Sequence, residues 1–285
     1  MRLLLAGLLV AALYQGGVLL VVRLGWRNPR VRSRRTPAEM GLPFEEIRFP
    51  TAGGKKLYGW WIPSGKEGAP LVLLVHGWGR NAERMLPYVK ALHPAGLDLL
   101  VFDARHHGAS DPDGYASMVK FSEDIGAAVE EGLRRCPNHR PAVGVLGLSV
   151  GGSAAIHAAA RDPRITAVAT VGAFATPADP RVTLGRAWWV LAPGLPLAFR
   201  LIERRIGFRF REVAPEGRIG AARARFLLIH GERDRVVPVS HGRRLAAAAG
   251  ERGRLWILPG RGHSDPHEEP GVLEGIRDFF RETLG

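Results

Sequence analysis

The stretch AVGVLGLSVGGSAAIHAAAR, residues 142–161, places an apolar run, a glycine-flanked serine and an alanine-rich segment in immediate succession. The run Ala142–Leu148 reads as a buried strand, and the residues from Val150 onward read as a helix. Between them, Gly147-Leu148-Ser149-Val150-Gly151, followed by Gly152, fits the G-x-S-x-G pattern of a nucleophile elbow. In so tight a turn, glycines on both sides avoid side-chain collision, and the serine hydroxyl projects at the helix start. The plainer alternative is a glycine-rich turn with an incidental serine. The strand before it and the helix after it favour the nucleophile.

Outward from this turn the chain alternates. Leu71–Val75, Leu97–Phe102, Ile165–Val171, Phe226–Ile229 and Leu255–Leu258 are further short apolar runs. Helical patterns near 81–93, 117–135, 240–249 and 270–283 lie between and after them. Such alternation predicts an α/β fold with a mostly parallel sheet covered on both faces. Ahead of it, Phe44–Phe49 and Lys56–Ile62 alternate about Thr51-Ala-Gly-Gly54, which predicts a β-hairpin. Residues 174–222 break the rhythm with Trp188, Trp189, Pro193, Pro196 and many arginines. They fit two short amphipathic helices, and an insertion between strands is a natural lid.

Ligands of such sheets sit outside the carboxyl ends of the strands, so the residues just after each run carry most weight. A serine needs a general base, itself oriented by a third group. His263 follows the run LWILP and Asp234 follows FLLIH, which puts both at the same edge of the sheet as Ser149. Their chain order is Ser, Asp, His, a hydrolase order. His267 and Glu232 are the nearest competitors. For the oxyanion, the turn His76-Gly-Trp-Gly79 offers the Trp78 N–H to join that of Val150. His76 itself reads as a structural histidine. The single cysteine, Cys136, makes neither an intramolecular disulfide nor a zinc cage.

These residues resemble the α/β-hydrolase superfamily over roughly 44–283. The resemblance rests on HGWG (76–79), DARHHGAS (103–110), GLSVGG (147–152), HGERDRVVP (230–238) and GRGHSD (260–265). It implies an α/β-hydrolase fold with a short helical lid inserted before the acid-bearing strand. It also implies catalysis by Ser149, Asp234 and His263 on a small-molecule or lipid ester or thioester, with no metal and no organic cofactor. In similar proteins the segment equivalent to DARHHGAS is a structural turn, so Asp103, Arg105, His106 and His107 are expected to be scaffold. Trp188 and Trp189 are candidates for lining an acyl pocket, or for anchoring the lid to the core. An amide substrate, or a silent binding protein on the same fold, are the competing readings.

Residues Leu3–Val22 run twenty positions without a charge, and six arginines lie between positions 23 and 35. That length matches the bilayer hydrocarbon, and the flanking arginines favour a cytoplasmic domain. The expectation is a transmembrane anchor at 1–23, a basic juxtamembrane linker at 24–43 and a hydrolase domain at 44–285; a cleaved signal peptide is the rival. Net charge is +13, yet only five of the 40 basic residues are lysine, a bias read as genome composition. No recognition motif or aromatic platform accompanies the charge, so nucleic acid is not an expected partner.

Overall fold

The computed structural model describes residues 5, 9, 12–20, 30–136, 142–185, 188, 189 and 192–285. The predicted hairpin forms as β1 (Glu45–Thr51) and β2 (Lys55–Ile62), antiparallel, with Ile47 opposite Gly59. The apolar runs become β3 (Leu71–Val75), β4 (Asp98–Asp103), β5 (Val143–Leu148), β6 (Ile165–Val171), β7 (Arg225–Gly231) and β8 (Gly253–Leu258). They make one eight-stranded sheet in the order β1-β2-β4-β3-β5-β6-β7-β8, parallel from β4 to β8. This is the α/β-hydrolase fold.

The two-residue period of a strand sorts the core into two layers. In β3, Leu71, Leu73 and Val75 pack on one face, and Val72 and Leu74 on the other. The first face is covered by α3 (Met118–Arg135), α4 (Val150–Ala159) and α8 (Val239–Ala249). The second is covered by α2 (Leu86–Leu92) and α9 (Val272–Leu284). Every residue of α4 is buried, which its run of glycine, alanine and serine permits because small side chains let the helix lie close to the sheet.

Among the described residues, the insertion between β6 and β7 holds three α-helical pieces rather than two: α5 (Pro180–Leu184), α6 (Leu195–Ile206) and α7 (Phe210–Val213). Gly185 and Gly207, both at positive φ, end the first two. Ala198, Ile202 and Ile206, one turn apart, form the buried seam of α6.

The amino terminus corrects the expectation of a membrane-spanning anchor. Residues 1–4, 6–8, 10, 11 and 21–29 lie outside the described residues, so much of the expected anchor is not covered. Among the described residues, no helix is long and apolar enough to cross a membrane, and a single-pass arrangement is not supported. Of the described helical residues 12–20 (α1), Val18 and Tyr14 meet the rest of the protein, while Leu13, Leu19 and Leu20 are exposed. Val18, 1% exposed, joins the seam of α6 together with Phe210. The Tyr14 hydroxyl accepts a hydrogen bond from the Gly194 N–H at 3.0 Å. The basic stretch also follows the body of the protein: the Arg34 N–H donates to Glu83 at 2.7 Å, and Asn81 donates to the Val31 carbonyl at 2.9 Å.

Candidate active site

Ser149 sits between β5 and α4 with φ 52° and ψ −118°, a conformation a non-glycine residue holds only when its surroundings enforce it. The enforcement comes from backbone crowding. A Cβ on Gly147 would lie 2.5 Å from the Gly151 carbonyl, and one on Gly151 would lie 2.5 Å from the carbonyl of His76. The Ser149 N–H donates to the Val171 carbonyl at 2.8 Å, which ties the turn to β6. The hydroxyl is thereby presented at the amino end of α4.

His263 enters from the loop after β8. Its Nε2 lies 3.0 Å from Ser149 Oγ and its Nδ1 2.6 Å from Asp234 Oδ2. The other oxygen of Asp234 accepts the N–H groups of Val236 and Val237, both at 2.8 Å, so the carboxylate is buried yet fully engaged. The structure thus brings together three residues 85 and 29 positions apart in the chain.

The competitors are engaged elsewhere. Glu232 accepts from the Gly260 N–H at 3.0 Å, bracing the histidine loop. His267 lies beside Tyr88, ring centres 6.0 Å apart. Two further residues bear on the site that sequence reasoning did not single out. His230, kept neutral by burial, donates from Nε2 to the Val237 carbonyl at 2.8 Å and lies 3.6 Å from Asp234 Oδ2, bracing the acid loop. Gly172, at φ +66°, leaves room for the His263 ring: a Cβ there would be 3.1 Å from His263 Nδ1. A glycine directly after an apolar strand was the signal for the second.

Three comparisons with known proteins bear on this arrangement. A family model described as serine aminopeptidase, S33, matches residues 67–205. The uncharacterized protein Rv2307c of Mycobacterium tuberculosis (strain ATCC 25618 / H37Rv) is 31% identical over 242 residues, covering 84% of this chain and 79% of that one. The chain belongs to the α/β-hydrolase superfamily. The thiohydrolase aneE of Aspergillus aculeatus is 32% identical over 132 residues, 45% of this chain and 41% of that one. Among solved structures, the Pyrococcus furiosus esterase Pf2001 superposes with a TM-score of 0.75 at 22% identity, covering 91% of this chain and 100% of that one.

In this α/β-hydrolase the turn after β3 closes on Ser149. A Cβ on Gly77 would stand 3.5 Å from that of Ser149. Val150, first residue of α4, has an N–H without an intrahelical acceptor, and Trp78 lines the same cavity. The turn is held from behind by two neutral histidines. His76 donates from Nδ1 to the Gly77 carbonyl at 2.7 Å and accepts the Ala104 N–H at 3.0 Å. His107 accepts the Gly79 N–H at 3.2 Å. Burial lowers their pKa values to about 4 and about 3, so both stay acceptors at neutral pH.

The DARHHGAS residues do structural work. Asp103 accepts the N–H groups of Ala82 and Ala109 at 2.7 and 2.8 Å. Arg105 is buried against Asp124 at 2.6 Å and also meets Glu123 and Asp113. Cys136 donates to Asp98 at 3.3 Å, and burial pushes its thiol up to about 12.

Ser149 and His263 open into a cavity of about 570 Å³. Its apolar wall comes from Met118 and Val119 of α3, Phe174, and the lid residues Val182, Ile206 and Phe210. Trp188 and Trp189 are not among its lining residues; they are 38% and 68% exposed, so they neither line the cavity nor anchor the lid in the core. Among the described residues, no group of three or more His, Cys, Asp and Glu side chains is arranged to hold a metal ion.

Proposed function

We propose that this protein is a serine hydrolase that cleaves an ester or thioester bearing an apolar acyl group. The observation that carries the reading is the Ser149–His263–Asp234 hydrogen-bonded chain opening into a cavity walled by aliphatic and aromatic side chains. His263 Nε2 takes the Ser149 proton as Oγ attacks the carbonyl carbon. Asp234 holds the imidazole through Nδ1 and stabilises its cation. The N–H groups of Val150 and Trp78 receive the developing oxyanion. Collapse expels the leaving group with the proton from His263, and an acyl-enzyme remains. Water, deprotonated by the same histidine, then releases the acid.

The name of the thiohydrolase relative supports a thioester among the substrates. The name of the matched family model points instead to peptides with a free amino terminus. A buried ammonium requires a paired charge. Among the described residues, no carboxylate lines the cavity, which favours ester or thioester over aminopeptidase substrates.

Turnover of a p-nitrophenyl ester series from acetate to palmitate, by the wild type and Ser149→Ala, tests the reading. Serine-dependent activity peaking at one chain length supports it and sizes the acyl pocket. Equal turnover by Ser149→Ala, or failure of Ser149 to react with a fluorophosphonate probe, overturns it.

A further inference from the structure

Among the described residues, the Lys, Arg, Asp or Glu side chains lining the cavity are two arginines, Arg80 and Arg84. Both come from the connection between β3 and α2, not from α3 or the lid, which supply the apolar wall. Arg80 stands two residues after Trp78. The guanidinium of Arg84 donates to the carbonyl of Ser264, the residue next to His263. No ion pair to a carboxylate joins either arginine among the described residues. The cavity therefore has an apolar acyl wall and a cationic flank beside the histidine that protonates the leaving group.

From this placement we propose that the hydrolase selects substrates whose leaving group carries an anion, a carboxylate or a phosphate, held by Arg80 and Arg84. The proposal rests on the serine-hydrolase reading above. An arginine fork matches either anion with parallel N–H donors, and the Ser264 carbonyl occupies only part of the Arg84 fork. With no carboxylate on the lining, nothing in the wall cancels the positive field. Because the contacts are to the part of the substrate that departs, the preference belongs to binding and acylation, and it appears in KM and kcat/KM.

Two matched substrate pairs test it. The carboxylate arm compares 4-nitrophenyl butyrate with 3-carboxy-4-nitrophenyl butyrate. The phosphate arm compares S-butyryl-N-acetylcysteamine with butyryl-coenzyme A. The expected result is a kcat/KM ratio, anionic over neutral, of about tenfold or more in one arm, which names the anion. That ratio falls toward one in Arg80→Gln and Arg84→Gln, persists in Arg80→Lys, and shrinks for the wild type as salt is raised. Each ratio is internal to one protein sample, and the wild-type salt dependence needs no variant to fold. Wild-type ratios near one in both arms, or a ratio unchanged in both glutamine variants, overturn the proposal while leaving the hydrolase intact. Failure to turn over all four substrates, with Ser149 unlabelled by fluorophosphonate, overturns the hydrolase reading itself.

Discussion

At Ser149, the strained backbone and the aim of the hydroxyl have the same origin. A φ of 52° is held by contacts between Gly147, Gly151 and the His76 carbonyl, and the same contacts aim Oγ at His263 Nε2. Asp234→Asn preserves the shape of the acid loop but disturbs the histidine tautomer, so kcat is expected to fall on the order of 10³–10⁴-fold with little change in KM. A fall of tenfold or less, measured by steady-state ester kinetics, would show that Asp234 is not the orienting group. Gly172→Ala forces a side chain into the left-handed region and toward the His263 ring. We expect a loss of about 1–2 kcal/mol in stability from the backbone alone, with lowered kcat. Chemical denaturation alongside kinetics checks both. The sequence signals a glycine directly after an apolar strand at Gly172, but its contact with the His263 ring arises only when the fold brings β6 and the β8 loop together.

Among elements, the amino-terminal helix touches the lid through Val18 and Tyr14. Val18 fills the seam of Ala198, Ile202 and Ile206, and Ile206 and Phe210 also line the cavity. Removing two methyl groups by Val18→Ala is expected to weaken this contact by about 1.5 kcal/mol. Faster amide exchange in α6, with exchange in α4 unchanged, is the outcome looked for; equal exchange in α6 would place the lid's support elsewhere. An apolar run of this length reads as a membrane span because hydropathy carries no information about the partner. Here Val18 of that run packs on a lid helix some 180 positions away, while Leu13, Leu19 and Leu20 stay exposed. The elements of the sheet behaved differently. Leu71–Val75 and Ile165–Val171 appear with the bounds read from the sequence, because strands buried on both faces are continuous apolar runs.

Across the whole molecule, buried polar groups make stability depend on pH. His76, His107 and His157 have pKa values lowered by burial to about 4, 3 and 4, against 6.5 when unfolded. Below pH 6.5 the unfolded chain takes up protons that the folded protein refuses. Their contribution is therefore fully present above pH 6.5 and is lost as pH falls toward 4, by up to about 1.4 kcal/mol per pH unit for each group. A denaturation midpoint that is flat from pH 7 to 8 and falls between pH 6.5 and 4.5 is expected. His107→Gln is expected to make that fall shallower, and an identical slope would locate the acid sensitivity in other groups. Arg105→Met leaves Asp124 buried without its cation and is expected to cost about 3–5 kcal/mol, read by the same denaturation.

What could be read from the chain alone was whatever is local: the period of the strands, the glycines that permit the Ser149 turn, and the placement of Asp234 and His263 after apolar runs. These follow from backbone sterics and burial, which act over a few residues. The bracing by His230, the cationic flank from Arg80 and Arg84, the exposure of Trp188 and Trp189, and the contact of Val18 and Tyr14 with the lid depend on which distant segments share a surface. That information enters only when loops from β3, β5, β6, β7 and β8 converge at one edge of the sheet, because a side chain's role there is set by neighbours that no local pattern contains.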